Sequence, residues 1–194
     1  MFDLGRSFLA SVERRPRAIA ISDGELRKTY AEWFADIQSV ARSLEAMGLA
    51  KGDRLLVVMQ NRWQMATLHW ACQFAGIVVT PLNWRSTARD LSYCIEDAEV
   101  KALAYDASVA EAVNGCPEAQ RLPRITAGGV EDIGAHDFDA LLGVDGELVL
   151  RADAEDVSLM LYTSGTSGKP KGVPRLHRAE RTAALAHVAQ NLYR

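Results

Sequence analysis

The stretch that decides the fold is Tyr162 to Val173, which reads Tyr-Thr-Ser-Gly-Thr-Ser-Gly-Lys-Pro-Lys-Gly-Val. The residues before it, Val157 to Leu161, are mostly apolar and β-prone, and Ala179 to Leu192 after it has a helical pattern. This order predicts a strand that opens into a glycine-rich loop ahead of a helix. Glycines let successive backbone N–H groups turn toward an anion, while hydroxyls and lysines add donors and charge. The stretch is therefore a predicted phosphate-binding loop.

Two other interpretations of this loop have to be weighed. A flexible surface linker has the same composition, but a linker needs neither the strand nor the helix beside it. A Walker A loop needs four residues between its first glycine and a Gly-Lys-Ser/Thr sequence. Here Gly165 and Gly168 are three positions apart, and Pro170 follows Lys169, so the hydroxyl residue that would bind magnesium is missing. The spacing argues against a P-loop NTPase.

Length and composition indicate an ordinary globular protein. The chain has 194 residues, 48% apolar and 24% charged, which suits one domain or slightly more. A net charge of −3 argues against a general nucleic-acid or membrane-surface binder. Between Thr163 and Arg181, however, five lysines and arginines face a single acid, Glu180. Positive charge is thus concentrated where an anion would bind, although a solvated basic helix face would give the same pattern.

Cysteine usage and the N-terminus predict a cytoplasmic location. Cys72, Cys94 and Cys116 are widely spaced, and no Cys/His cluster indicates zinc, so they are expected to be free thiols. Charges interrupt the apolar residues between Phe2 and Ala10, so no signal peptide is predicted. No apolar run approaches the roughly 18 residues that a membrane span needs.

The rest of the chain alternates between strand and helix signals. Asp23-Gly24 predicts a hairpin turn, Thr29 with Glu32 predicts a capping box, and Ser86 or Thr87 is expected to cap a later helix. Continuous apolar runs predict buried strands at 55–59, 77–80 and 100–105, with helices between them. This alternation predicts an α/β fold, a parallel sheet flanked by helices and joined by right-handed crossovers. The pattern fades between residues 114 and 156, where only a short strand at 124–126 and a helical turn at 138–142 are predicted.

The ordered motif Tyr162 to Val173 closely resembles the signature of the adenylate-forming enzymes, which include acyl- and aryl-CoA synthetases, peptide-synthetase adenylation domains and luciferases. Ser167 stands where this family more often has threonine. Looser similarities are the turn Gly48 to Leu55, the segment Gly76 to Asn83, and His177-Arg178. The resemblance implies the N-terminal part of the family's large domain, with 1–156 as an α/β subdomain and 157–194 as strand, loop and helix. It also implies that the C-terminal domain is absent and that this chain alone is inactive.

The resemblance implies that the chain is a fragment of an ATP-dependent carboxylic acid–CoA ligase, also called an acyl-CoA synthetase. Its cofactors would be ATP, Mg²⁺ and coenzyme A, and its partner a small carboxylic acid. No catalytic or metal-binding residue is assigned within this chain. The expected nucleotide-binding residues are Thr163, Ser164, Gly165, Thr166, Ser167, Gly168, Lys171 and Gly172. The alternatives are another adenylate-forming enzyme of the peptide-synthetase type, a phosphotransferase, or a non-catalytic nucleotide-binding module.

Overall fold

The computed structural model describes residues 3–147, 150–163 and 170–191. These residues form two sheets and seven α-helices, with short 3₁₀ turns at Ala107–Val109 and Phe138–Leu141. In chain order the elements are α1 Leu4–Arg14, β1 Ile19–Asp23, β2 Leu26–Thr29, α2 Tyr30–Ala46, β3 Arg54–Val58, α3 Trp63–Ala75, β4 Val78–Pro81, α4 Ala88–Asp97, β5 Ala102–Asp106, α5 Ala110–Asn114, α6 Pro117–Gln120, β6 Arg124–Ala127, β7 His136–Asp137, β8 Val157–Thr163, β9 Lys171–Leu176 and α7 His177–Asn191.

The larger sheet confirms the predicted α/β architecture. Its strand order is β7-β6-β5-β3-β4-β8-β9, and every neighbouring pair is parallel except β8 with β9. From β3 the chain moves outward to β4 and then crosses back to place β5 on the other side of β3. The strand order therefore reverses between β3 and β5, and the loops that follow these two strands leave the same edge of the sheet.

Helices cover the sheet on both faces because alternate residues of its strands point in opposite directions. Leu55 and Val57 of β3 pack into a core with α2 and α3, whereas Leu56 and Val58 pack into a second core with α4 and α5. All four of these side chains are fully buried. Burial of each such side chain contributes about 1.5–3 kcal/mol, so the central strand ties the two layers together.

Local signals placed most of the N-terminal elements correctly. The Asp23-Gly24 turn joins the antiparallel strands β1 and β2, as predicted. The capping box of Thr29 and Glu32 is formed in both directions at the start of α2. Of the two candidates for the cap of α4, the structure uses Thr87, which exchanges hydrogen bonds with Asp90.

The predicted strand and helix on either side of the loop are both present, but a strand that was not predicted precedes the helix. A strand, β9, comes first and pairs antiparallel with β8, so the connection between them belongs to a hairpin, the β8–β9 hairpin. Tyr162 lies opposite Gly172, and Thr163 opposite Lys171. β9 is the last strand of the sheet, an edge position that tolerates Pro174 because proline lacks the N–H group a central strand would need. Helix α7 then begins at His177, where the His177-Arg178 pair predicts its start.

The region of weak signal, 114–156, contains more structure than the sequence pattern indicates. β6 and the 3₁₀ turn at Phe138–Leu141 match the predictions. The short helix α6 and the two-residue strand β7 were not predicted. Elements of two to four residues give no usable periodicity, because a helix or strand pattern needs more residues to repeat.

Gly76 ends α3 in a left-handed conformation, with φ 72°. A Cβ atom added there would lie 3.1 Å from Lys51 Cγ. We expect Gly76→Ala to lower the free energy of unfolding by about 1–2 kcal/mol, since a side chain disfavours this conformation. Chemical denaturation would measure the change. Gly115→Ala is the matched control, because Gly115 ends α5 with φ −82° and its added Cβ makes contacts of 3.4 Å or more. Equal effects of the two substitutions would contradict the conformational argument.

Candidate functional site

The candidate site lies at the loop end of the β8–β9 hairpin, where β8 ends and β9 begins. Thr163 ends β8 and Lys171 begins β9, and the two residues are register partners with exposed side chains. Residues that face each other in an antiparallel pair extend their side chains to the same side of the sheet. A hydroxyl group and an ammonium group therefore leave the hairpin on one side. This arrangement can donate to an anion from two strands at once.

The structure places three of the eight predicted nucleotide-binding residues, namely Thr163, Lys171 and Gly172. The other five lie outside the described residues: Ser164, Gly165, Thr166, Ser167 and Gly168. Their roles therefore stay predictions. Among the described residues, Lys171 has no salt-bridge partner, so its charge is not neutralised by a neighbouring carboxylate there.

Gly172 allows a close approach between the two strands of the hairpin. A Cβ atom added to it would lie 3.1 Å from Met160 Sδ and 3.4 Å from Tyr162 Oη. Both neighbours belong to β8, so the absence of a side chain lets their side chains lie across β9. Gly172 therefore lets the two strands of the hairpin pack closely.

Helix α4 contacts the loop end of the hairpin through side chains that the sequence did not indicate. The Tyr162 hydroxyl donates to Asp97 Oδ2 at 2.7 Å, and the Tyr93 hydroxyl donates to the carbonyl oxygen of Pro170 at 2.8 Å. The partners are 65 and 77 residues apart in sequence. Local periodicity could not have found them, because nothing in the sequence of α4 specifies which distant strand it will touch.

The basic cluster downstream of the loop does not gather around the site. Arg175 pairs with Glu180 at 2.6 Å, and Arg178 pairs with Glu155 at 2.9 Å. Arg181 donates to the hydroxyl of Ser7 in α1, at 3.1 Å. The expectation that these arginines concentrate positive charge for an anion is therefore wrong. Their contacts attach β9 and α7 to neighbouring elements.

His177 attaches the start of α7 beneath the hairpin. The ring of His177 is fully buried, and its Nδ1 accepts a hydrogen bond from the backbone N–H of Leu4 at 3.4 Å. The backbone N–H of His177 donates to the carbonyl oxygen of Asp156 at 3.1 Å. Burial lowers the pKa of His177, and the carboxylates of Asp3 and Asp156 partly oppose that shift. Burial, with a smaller contribution from His177, lowers the pKa of His69 in α3 to about 4. Both rings are thus neutral at pH 7.

A polar cavity of about 390 Å³ lies where the strand order reverses between β3 and β5. Asp106 is buried at its base and accepts hydrogen bonds from the N–H groups of Gln60 (3.1 Å) and Ser108 (3.0 Å). The Arg62 Nη1 atom lies 3.6 Å from the same carboxylate. The charges here compensate each other and organise the loops after β3 and β5. Sequence reasoning did not single out this group, although polar residues directly after buried strands were a usable signal.

Within 3–147, 150–163 and 170–191, no group of three or more His, Cys, Asp or Glu side chains is arranged to hold a metal ion. In the same ranges, no helix is both long enough and apolar enough to cross a membrane. All three cysteines are free and buried, as expected for small core residues.

Comparison with known families and proteins gives a consistent result. The AMP-binding enzyme family matches residues 8–193 of the chain. The long-chain-fatty-acid–CoA ligase FadD13 of Mycobacterium tuberculosis is 32% identical over 178 residues, which cover 90% of this chain and 35% of that protein. The 2-succinylbenzoate–CoA ligase of Geobacillus kaustophilus is 34% identical over 158 residues, covering 81% and 30%. The chain therefore spans about a third of the length of these curated relatives.

Solved structures support the fold. The inhibitor-bound N-terminal domain of FACL13 from Mycobacterium tuberculosis superposes with a TM-score of 0.79 at 25% identity, over 91% of this chain and 45% of that one. A putative long-chain-fatty-acid CoA ligase from Rhodopseudomonas palustris superposes with a TM-score of 0.85 at 19% identity, over 97% and 48%. The latter similarity concerns the fold alone.

The lowered pKa of His69 predicts a loss of stability in acid. The pKa of His69 in the folded state lies below its unfolded value of about 6.5. The stabilisation of the folded state by the neutral ring is therefore fully present above pH 6.5. As the pH falls from 6.5 to 4, the unfolded state binds the proton and the folded state does not. We therefore expect the free energy of unfolding to fall by about 2–3 kcal/mol across this window. Denaturation at a series of pH values would measure it.

Substitution separates this effect from general acid denaturation. His69→Gln removes the titrating ring, so its stability should depend less steeply on pH between 6.5 and 4. His136→Gln, at an exposed position in β7, should leave the dependence unchanged. An unaltered slope in the His69 variant would show that the neutral ring does not cause the loss.

Proposed function

The chain belongs to the AMP-binding enzyme family, and from that membership we propose that the full-length protein is an ATP-dependent carboxylic acid–CoA ligase. The observation that carries the proposal is the family match over residues 8–193, with the described residues of the signature, 162–163 and 171–173, paired in β8 and β9. The similar proteins named above are themselves CoA ligases. The division of the chain at residues 156 and 157 is part of the proposal.

The proposed reaction has two steps. A substrate carboxylate attacks the α-phosphorus of ATP, the bond to the bridging oxygen breaks, and pyrophosphate leaves with the bonding electrons. The acyl-adenylate that results is then attacked at its carbonyl carbon by the thiolate of coenzyme A, which expels AMP. Negative charge grows on the pyrophosphate in the first step, so donors fixed in advance around it lower the barrier.

The hairpin end supplies donors of the required kind. We assign the β- and γ-phosphates to the backbone N–H groups of residues 164–168 and to the hydroxyls of Thr163, Ser164, Thr166 and Ser167. The side chain of Lys171 lies opposite Thr163 in the described hairpin, so its ammonium group can reach the same phosphates. Bonds between charged partners contribute about 1.5–3 kcal/mol each, which makes a few of them sufficient to hold a polyphosphate.

Magnesium is proposed to arrive with the nucleotide. Mg²⁺ commonly binds through substrate phosphates while keeping several waters, and such binding needs few protein ligands. This mode fits the described part of the chain, which offers hydroxyl and ammonium donors for phosphate and no cluster of three carboxylate, imidazole or thiolate ligands. When bound, the ion would neutralise charge on the phosphates that Thr163 and Lys171 face.

The acid substrate is proposed only as a class. FadD13 is named for a long-chain fatty acid, and the Geobacillus enzyme for 2-succinylbenzoate, an aromatic acid. These names bracket aliphatic and aromatic carboxylic acids, and we propose a small carboxylic acid of either kind. A cytoplasmic location without nucleic-acid or membrane partners accords with the net charge of −3 and the free cysteines.

Pyrophosphate exchange tests the proposed chemistry. We expect the full-length protein to exchange labelled pyrophosphate into ATP when the correct acid from an aliphatic and aromatic panel is present, and to form its CoA thioester. AMP with pyrophosphate must be the nucleotide products. Release of ADP would instead identify a phosphotransferase, and adenylate formation without a CoA thioester would favour the peptide-synthetase type. No exchange with any acid would favour a non-catalytic module.

The role of Lys171 can be measured in the same protein. We expect Lys171→Ala to lower kcat/KM for ATP by a factor equivalent to about 1–3 kcal/mol, as for loss of a charge-assisted contact. Lys169→Ala is the matched control, because this residue is predicted to be a surface charge and should change kcat/KM for ATP little. Unchanged ATP kinetics in Lys171→Ala would remove Lys171 from the site.

A further inference from the structure

We propose that Tyr93, Asp97 and Tyr162 form a clamp that positions the two strand ends from which the phosphate-binding loop departs. The inference rests on the function proposed above, since it assigns a role in ATP binding to residues outside the signature loop. The three are positioning residues, because they act through the ends of β8 and β9.

The loop end of the β8–β9 hairpin, where Thr163 faces Lys171, lies at the edge of the sheet. The register between β4 and β8 includes Val79 with Leu159, and β8 pairs along its length with β9, which is the last strand of the sheet. Contacts from outside the sheet therefore add to the strand pairing that places Thr163 and Lys171.

Helix α4 supplies those contacts from one turn. Tyr93 and Asp97 are four residues apart, so they lie on the same face of the helix. Asp97 accepts the hydroxyl of Tyr162 at 2.7 Å, one residue before the end of β8, and Tyr93 donates to the carbonyl oxygen of Pro170 at 2.8 Å, one residue before β9. Both strand ends are thus bonded to a single helical turn.

The two tyrosines also contact each other and the strand between them. Their ring centroids are 6.4 Å apart with an interplanar angle of 79°, which is the edge-to-face arrangement that aromatic pairs prefer. The Tyr93 hydroxyl lies 3.5 Å from Asp97 Oδ1, so both phenols converge on one carboxylate. Gly172 leaves the space in which the Tyr162 side chain lies across β9. The clamp therefore fixes the angle of the hairpin as well as its distance from the helix.

The helix is a firm base for such a clamp. The capping box of Thr87 and Asp90 fixes the start of α4, and Leu91, Cys94 and Ile95 of the opposite face are buried. Burial and the Asp97 carboxylate raise the pKa of both Tyr162 and Tyr93. At neutral pH the phenols keep their protons, so both remain hydrogen-bond donors.

The consequence for ATP is geometric. A displacement of about 1 Å in a group that positions a substrate can lower a rate about 100-fold. Thr163 and Lys171 lie next to the clamped positions in both strands, so loosening the clamp should misplace the donors for the phosphates. Binding of the acid and of coenzyme A does not depend on those donors.

The test uses the full-length protein with Tyr162→Phe, Tyr93→Phe and the double variant, which keep the rings and remove the hydroxyls. We expect KM for ATP to rise about 3- to 10-fold in each single variant and kcat to fall with it, while KM for coenzyme A changes less than about twofold, as for loss of one hydrogen bond. Amide hydrogen exchange without nucleotide should become about 3- to 10-fold faster at residues 160–163 and 171–173. The double variant should exceed either single one in both measurements.

Two controls separate positioning from general stability. Tyr105→Phe removes a comparable tyrosine–carboxylate bond, to Asp132 at 2.6 Å, in β5, which is three strands from β8 in the sheet, and should leave both readouts unchanged. Asp97→Asn keeps an acceptor for Tyr162 and should restore most of what Asp97→Ala loses. Equal effects in Tyr105→Phe would overturn the proposal, as would a double variant within twofold of the parent in exchange and in KM.

The two proposals fail differently. If the parent protein shows no pyrophosphate exchange, the ligase proposal fails, and hydrogen exchange at the strand ends still decides whether the clamp holds the hairpin. If the parent is active and the variants keep both the KM for ATP and the exchange rates of the parent, the clamp fails while the ligase function stands.

Discussion

The constraint on which the structure depends is the burial of a parallel sheet on both faces. Strands such as β3 and β5 bury every side chain they carry, or nearly so, and their backbone groups are paired within the sheet. Polar groups that must meet a ligand can then emerge only at the ends of strands or on an edge hairpin. The carboxyl ends of β3 and β5 hold the Arg62–Asp106 pair, and the end of β8 holds Thr163. Polar groups that could bind a ligand therefore lie at the periphery of the sheet, because buried side chains fill its interior.

The sequence determined these elements unevenly. Capping boxes and the Asp23-Gly24 turn depend on residues within four positions of each other, and they were predicted correctly. The buried strands were also found, since a continuous apolar run reports burial on both faces. Strand β9 was missed because Pro174 and Arg175 are poor strand residues, and only pairing with β8 makes them extended. Tertiary context decided that segment.

The candidate site shows the same division between local and distant information. The signature from Tyr162 to Val173 is a contiguous pattern, so it could be recognised, and the family match agrees with it. The arginines downstream were misjudged because their acceptors, such as Glu155 and Ser7, come from other parts of the chain. The contacts of Tyr93 and Tyr162 join α4 to a hairpin some 65–77 residues later. A single sequence contains no rule for that choice of partner, which only the packed layers specify.

The three buried cysteines have a practical consequence. Cys72 lies in the core shared with α2 and α3, and Cys116 lies in the core on the opposite face of the sheet. Burial raises the pKa of both thiols, which keeps them as unreactive SH groups while their layer is closed. A maleimide reagent would therefore modify each one only when its own layer opens. Cys72 reports on one layer, and Cys94 of α4 and Cys116 report on the other, so the order of labelling would show which layer of the fold opens first.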